Sequence, residues 1–194
     1  KLESPYLLYS STPFRGLEVL VESFPSIRNA FPNVGLKVFS SMKVYQKDEE
    51  KRFLDLYDAC KAMPGVAYHG SVSQPVLAQE LGGALMLAYP NTYQETCCIT
   101  AMEAMASGCR IVTISLGALP ETTAGFATLI SGGETKEVIK DQFVEACIRE
   151  LETIFTEPDR VETELREQVD YANREYTWAH RAQLWENWLE GMQA

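Results

Sequence analysis

The stretch Glu95-Thr-Cys-Cys-Ile-Thr-Ala-Met-Glu103 continues into Ala-Met-Ala-Ser-Gly108 and then into the apolar run Arg110-Ile-Val-Thr-Ile. This order predicts a helix that ends at a glycine and leads directly into a β-strand. Seven residues separate the two glutamates, so one carboxylate lies beside the helix N-terminus and the other about two turns along it. The unpaired N–H groups and the positive dipole end of such a helix favour a phosphate. We therefore expect one phosphate-bearing ligand to lie at the helix start, between the two carboxylates.

Strand-like and helix-like segments alternate around this stretch. The strand-like runs are continuously apolar, which is typical of parallel strands covered on both faces. We expect a doubly wound, Rossmann-like α/β domain with a parallel sheet of about six strands, helices on both faces and further helices at the C-terminal end. Strands are predicted over residues 6–10, 35–40, 66–68, 84–89, 110–114 and 126–130. Besides the central helix, helices are predicted over residues 16–29, 48–62, 75–81, 137–155, 159–174 and 178–189.

Length and composition limit the possible classes of protein. The 194 residues predict one domain, with an α/β core over residues 1–134 and a mainly helical tail over residues 135–194. The net charge of −10 and the absence of a basic stripe argue against a nucleic-acid partner. No apolar run is long enough to span a bilayer, and no signal peptide is visible. Five cysteines without a disulfide or metal-ligand spacing favour the cytoplasm, or the inner face of a membrane, and no metal site.

Ligands of parallel α/β sheets bind beyond the carboxyl ends of the strands, where the strand order reverses. The loops at that edge are predicted over residues 10–16, 40–47, 69–74, 90–96 and 115–121. Every residue with a candidate chemical role outside the central helix lies in one of these loops. The candidate site is therefore expected at this edge of the sheet.

The combination of motifs in these loops resembles the signature of retaining glycosyltransferases of family 4, which have the GT-B fold. The resemblance begins at Glu95 and Glu103, continues through Gly108 and the following strand, and includes Gly117-Ala-Leu-Pro-Glu121. It covers essentially the whole chain. Further matching steps are Arg15-Gly16-Leu17, Gly70-Ser71-Val72 and Tyr176-Thr-Trp178.

The resemblance implies that the chain is the donor-binding half of a glycosyltransferase of the hexosyltransferase type. Its partners would be a nucleotide sugar and an N-terminal acceptor-binding domain of the same protein, placed before Lys1. It implies no metal or other cofactor. The chain alone is then expected to bind nucleotide weakly and to transfer nothing. Two alternatives stay open: a non-catalytic interaction module on the same fold, and a sugar-nucleotide epimerase of GT-B architecture.

The resemblance also implies roles for individual residues. Glu103 would accept hydrogen bonds from the ribose hydroxyls, and Glu95 would contact sugar hydroxyls near the reacting centre. Arg15 would neutralise the departing diphosphate. The remaining donor-binding candidates act through backbone groups or shape the pocket: Thr96, Cys97, Cys98 and Ile99 at the diphosphate, Gly70, Ser71 and Val72 at the base, and Gly117 and Glu121 at the pocket wall.

The chain departs from the family pattern at two places that concern the phosphates. Ser10, a further donor-binding candidate, stands where the family has an arginine, and Thr96-Cys97-Cys98 replaces a glycine-rich turn.

Several candidates also have a purely structural interpretation. Arg15 could be a solvated residue of the first helical turn, and Gly117 and Glu121 a plain turn and helix start. The adjacent cysteines are interpreted as small packing groups rather than reactive thiols. His69 could contact a ligand or have no such role. The three tryptophans of the last predicted helix are interpreted as packing groups rather than sugar-stacking groups. The resemblance implies that this helix crosses back onto the N-terminal domain, so some of the three are expected to be exposed when that domain is missing.

Overall fold

The computed structural model describes residues 1–43, 50–133 and 135–192, in which six strands and eight α-helices follow one another. The strands are β1 (Tyr6–Ser10), β2 (Gly35–Phe39), β3 (Val66–Tyr68), β4 (Met86–Tyr89), β5 (Arg110–Ile114) and β6 (Thr128–Ile130). The helices are α1 (Leu17–Ala30), α2 (Leu54–Ala62), α3 (Gln74–Gly83), α4 (Ile99–Ala106), α5 (Leu119–Thr123), α6 (Lys136–Thr156), α7 (Pro158–Glu175) and α8 (Trp178–Gly191).

The six strands form one sheet in the order β3-β2-β1-β4-β5-β6, and every neighbouring pair is parallel. The chain leaves β1 towards β2 on one side and leaves β4 towards β5 on the other. Right-handed crossovers in opposite directions place the connecting helices on opposite faces. The order therefore reverses between β1 and β4, and the prediction of a doubly wound α/β sheet is confirmed.

The two central strands are the most deeply buried part of the sheet. Leu7 and Leu8 on β1 and Met86 and Leu87 on β4 have no solvent-exposed surface, and they face each other across the strand pair. Consecutive buried residues are possible only because helices cover both faces. The continuously apolar sequence of these strands is thus the direct cause of their central position.

Several element bounds differ from the prediction. The predicted strand over 84–89 begins two residues later, because the Ala84 N–H caps α3 by donating to the Glu80 and Leu81 carbonyls. In the helix predicted over 48–62, residues 48 and 49 lie outside the described residues. A 3₁₀ turn, Lys51–Phe53, leads into α2 at Leu54.

The last helix, α8, exposes the aromatic residues that were predicted to pack. Trp178 is 90% exposed, and Trp185 and Trp188 are more than half exposed. The latter two rings contact each other edge to face, with centroids 5.4 Å apart. Within this chain the packing prediction is therefore wrong, because this face of α8 has no covering element among the described residues.

Two further properties concern the chain as a whole. All five cysteines are free thiols, and four of them are buried. Across the described ranges, none of the helices combines the length and the apolarity required to cross a lipid bilayer.

A paired glutamate at the amino end of the sheet makes the folding stability depend on pH. Glu80 on α3 accepts hydrogen bonds from Lys37 Nζ (2.6 Å) and the Tyr6 hydroxyl (3.2 Å). The hydrogen bond from Lys37 lowers the pKa of Glu80.

A carboxyl group whose pKa is lower in the folded state than in the unfolded state stabilises the fold at a pH above its unfolded pKa. This contribution is lost as the pH falls through the folded pKa. We expect Glu80→Gln to remove about 0.5–1 kcal/mol of stability at pH 7 and less at pH 3, below the unfolded pKa of the carboxyl group. Urea unfolding at both pH values measures this difference, and an equal loss at both would contradict it.

Candidate functional site

Arg15 and Glu95 meet at the point where the strand order reverses. Arg15 lies in the loop after β1 and Glu95 in the loop after β4, and the two loops leave neighbouring strands at the same edge. The Arg15 Nη1 atom is 2.8 Å from Glu95 Oε1. The Glu95 side chain is 3% exposed and that of Arg15 is 24% exposed. The two residues predicted to act on one ligand are thus brought together as a largely buried ion pair.

Tyr89 is a third member of this group, and no sequence motif pointed to it. Its hydroxyl donates to the same oxygen, Glu95 Oε1, at 2.7 Å. Tyr89 is the last residue of β4 and is fully buried. Burial raises its pKa well above the ordinary value, so the hydroxyl stays protonated and remains a donor. The available signal was a polar aromatic residue at the carboxyl end of an otherwise aliphatic strand, directly before Pro90.

The loop that carries Arg15 is held by Tyr9 of β1 and by aromatic side chains of the loops after β1 and β4. The Tyr9 hydroxyl donates to the carbonyl of Thr12 at 2.7 Å and to that of Arg15 at 3.2 Å. The guanidinium of Arg15 lies over the rings of Tyr93 and Phe14, at 4.9 Å and 5.6 Å from their centroids. These contacts fix both the backbone and the charged end of Arg15. They favour a positioned functional arginine over a solvated one.

The Glu95 backbone is fixed by the loop after β5. The Ala118 N–H donates to the Glu95 carbonyl at 2.8 Å. Gly117 has φ +59°, and a Cβ on it would lie 2.4 Å from the Glu95 carbonyl oxygen. A side chain at this position is excluded by backbone contact, so Gly117 allows the two loops to touch. Gly117 therefore has a structural role: it allows the loop after β5 to hold the backbone of Glu95. This role is independent of any contribution to a pocket wall.

The residues between Glu95 and α4 present backbone donors. Helix α4 begins at Ile99, with Cys98 as its N-terminal cap residue and no side-chain cap. Thr96, Cys97 and Ile99 are exposed. Within the described ranges, no hydrogen bond uses the backbone N–H of any residue from Thr96 to Ile99. The helix start therefore retains the unpaired donors that a phosphate requires.

The two cysteines at this helix start have different surroundings. Cys98 is buried, and burial raises the pKa of its thiol to about 11, so Cys98 is a neutral packing group at physiological pH. Cys97 is exposed. Ser10 is buried at the end of β1, and its carbonyl accepts a hydrogen bond from the Thr100 hydroxyl at 2.9 Å. This bond ties the first turn of α4 to β1 and so to the Arg15 loop.

Glu103 lies one turn into α4, not about two turns as predicted, because the helix begins at Ile99 rather than at Glu95. Its side chain is partly buried. Burial raises the pKa of its carboxyl group. None of the described residues donates a hydrogen bond to this carboxylate, and none forms an ion pair with it. A partly desolvated carboxylate without a protein donor is suited to accept hydrogen bonds from hydroxyl groups of a ligand.

The other candidates lie farther from the ion pair. Gly70 adopts φ +66° in the turn after β3, Ser71 is exposed, and Val72 packs against the core. Strand β2 separates β3 from β1, so this loop lies two strands away from that of Arg15. Glu121 is exposed on the short helix α5.

His69 and the acidic residues within the described ranges form no further ligand set. The His69 ring stacks on Phe39, with centroids 4.8 Å apart and planes 9° apart, which favours a packing role. Among the residues that the structure describes, no three or more His, Cys, Asp and Glu side chains are grouped so that they could hold a metal ion.

A parallel sheet of this order, with charged loops at its switch point, defines the class of doubly wound α/β domains that bind ligands beyond the strand ends. The chain belongs to the family described as glycosyl transferases group 1, whose model matches residues 2–176. No curated protein sequence matches the chain.

Solved glycosyltransferase structures share the fold. Sucrose-phosphate synthase from Thermosynechococcus elongatus aligns with a TM-score of 0.71 and 20% identity, over 100% of this chain and 47% of that one. Anabaena HepE in complex with UDP-glucose aligns with a TM-score of 0.68 and 16% identity, over 96% and 48%. The pneumococcal O-GlcNAc transferase GtfA in complex with UDP and GlcNAc aligns with a TM-score of 0.67 and 16% identity, over 97% and 36%. The chain thus spans less than half the length of each of these structures.

Proposed function

We propose that this chain is the donor-binding domain of a retaining glycosyltransferase of family 4, and that it binds a nucleotide-diphospho-sugar. The observation that carries the proposal is the Arg15–Glu95 pair at the sheet's switch point, next to a helix start with unpaired N–H groups. The family assignment supports glycosyl transfer. The HepE and GtfA structures, which contain UDP-glucose and UDP, support a nucleotide sugar as the donor.

The proposed reaction uses fixed charges and needs no metal. The bond between the sugar's anomeric carbon and the diphosphate oxygen breaks, and its electron pair stays with the diphosphate. The acceptor hydroxyl oxygen forms the new bond to the anomeric carbon, and its proton passes to the departing diphosphate. Arg15 and the N–H groups from Thr96 to Ile99 would stabilise the charge on the diphosphate, which is electrostatic catalysis. Glu95 would hold the sugar hydroxyls, and Glu103 those of the ribose.

The acceptor would bind to a second, N-terminal domain of the same protein, with the reaction in the cleft between the two. The chain's share of less than half of the matched structures supports this proposal. The exposed tryptophans of α8 offer a surface for such a domain. The free cysteines support a cytoplasmic location.

A binding screen tests the proposal. Thermal-shift measurements with UDP, GDP and ADP, and with UDP-glucose and GDP-mannose, should show stabilisation by one nucleoside diphosphate and its sugar conjugates. A non-catalytic interaction module would respond to none of them, and that result would overturn the proposal. An epimerase would release free nucleotide and epimerised sugar without an acceptor, so incubation with nucleotide sugar alone separates this alternative.

Glu103→Ala is expected to weaken binding of the preferred nucleoside diphosphate by roughly 1–3 kcal/mol, because it removes the acceptor of charged hydrogen bonds from the ribose. Isothermal titration calorimetry measures the change. Glu186→Ala, at an exposed position on α8, is the matched control and should bind as the wild type does. Equal affinities of all three proteins would remove Glu103 from the site.

A further inference from the structure

Two buried tyrosines occupy the strands on either side of the switch point. Tyr9 is the penultimate residue of β1 and Tyr89 is the last residue of β4, and neither has exposed surface. Their ring centroids are 5.8 Å apart. The Tyr9 hydroxyl binds the backbone of the Arg15 loop, whereas the Tyr89 hydroxyl binds the Glu95 side chain itself.

The two oxygens of Glu95 have different surroundings. Oε1 receives two donors, Arg15 Nη1 at 2.8 Å and the Tyr89 hydroxyl at 2.7 Å. Oε2 accepts no hydrogen bond from any described residue. The Ser11 hydroxyl is 3.4 Å from that of Tyr89, a longer contact than the one to the carboxylate. The proton of Tyr89 therefore belongs to the hydrogen bond with Glu95, which is the charge-assisted one.

We propose that Tyr89 is a positioning residue that holds Glu95 by Oε1 and leaves Oε2 to accept from the hydroxyls of the donor sugar. The inference rests on the proposed function of the site. Arg15 alone cannot hold Glu95 in this position when the donor is bound. Its guanidinium would also bind the donor's diphosphate, so the phosphate would compete with Glu95 for the guanidinium. Tyr89 is neutral and fully buried, so no ligand competes for its hydroxyl. It remains on Oε1 when the donor is bound.

Tyr89→Phe separates this role from a general loss of structure. Calorimetric titrations with UDP and UDP-glucose, or with GDP and GDP-mannose if the domain selects guanine, give two affinities for each variant. We expect the affinity for the nucleoside diphosphate to change by less than about two-fold and the affinity for the nucleotide sugar to fall by about ten-fold. Tyr6→Phe, which removes a tyrosine–glutamate hydrogen bond at the far end of β1, should change neither. A parallel fall of both affinities, or no change in either, would overturn the inference.

A second measurement reports on the contact without any ligand. Tyr89→Phe should lower the equilibrium constant for folding about ten-fold in the wild type, and less than about two-fold in a Glu95→Ala background. Equal effects in the two backgrounds would show that the hydroxyl does not act through Glu95, and the inference would fail. If the effect of Tyr89→Phe on folding depends on Glu95 but no nucleotide binds to the wild type, the proposed function is wrong. The positioning role of Tyr89, which rests on that function, is then wrong too. If nucleotide binds but the sugar-specific loss is absent, only the role of Tyr89 fails.

Discussion

Replacing Glu95 with glutamine is expected to reduce sugar transfer by about 10³-fold in the complete transferase, while the affinity for the nucleoside diphosphate stays within about three-fold of the wild type. Glutamine keeps the shape of the side chain but loses its charge. In the proposed site that charge faces sugar hydroxyls near the reacting carbon, whereas the diphosphate is held by Arg15 and by backbone N–H groups. Steady-state transfer rates and calorimetric titration of UDP or GDP measure the two effects separately.

The chain provides a matched control for this variant. Glu80 is also a paired glutamate: its carboxylate accepts from Lys37, and the Tyr6 hydroxyl contacts both this carboxylate, at 3.2 Å, and the Glu80 backbone carbonyl, at 2.8 Å. It lies at the opposite edge of the sheet, so Glu80→Gln should transfer sugar at the wild-type rate. Transfer by Glu95→Gln at more than a tenth of the wild-type rate would exclude the proposed role. A large loss of diphosphate affinity would assign Glu95 to the phosphates instead.

The fold could be predicted because each strand carries its own signal. Continuous apolar runs such as those of β1 and β4 occur where both faces of a strand are covered, and the helical segments between them require parallel crossovers. The positions of Arg15 and Glu95 in loops at the carboxyl edge followed from the same pattern.

The internal geometry of the site could not be predicted in the same way. That Arg15 pairs with Glu95, 80 residues away, depends on β1 and β4 being neighbours, and the spacing of residues along one chain does not contain the strand order. The role of Tyr89 could not be predicted for a related reason. In the sequence it is one more large residue of a buried strand, and its function depends on where its hydroxyl points. The packing of the α8 tryptophans was predicted wrongly because helical spacing indicates a shared face but not the surface that covers it.

Gly16→Ala is expected to destabilise the fold by at least about 3 kcal/mol and to separate the two loops that carry Arg15 and Glu95. Gly16 has φ +90°, and a Cβ on it would lie 1.9 Å from the carbonyl oxygen of Pro90. Neither backbone segment can move without a large cost in free energy, since Gly16 leads into α1 and Pro90 directly follows β4. Urea unfolding measures the loss of stability, and calorimetry with the preferred nucleotide sugar measures the loss of binding in the fraction that remains folded.

The cost of this substitution has two sources, and Gly125 separates them. Gly125 has nearly the same φ, +87°, but no described atom lies within 4 Å of a Cβ placed there. Gly125→Ala therefore reports the backbone strain alone, about 1–2 kcal/mol, and should leave nucleotide-sugar binding unchanged. The excess loss in Gly16→Ala measures the contact between the loops after β1 and β4. If the two variants are equally stable and bind equally well, that contact does not hold the Arg15–Glu95 pair in place. If only Gly16→Ala loses binding, the close approach of the two loops is what forms the site.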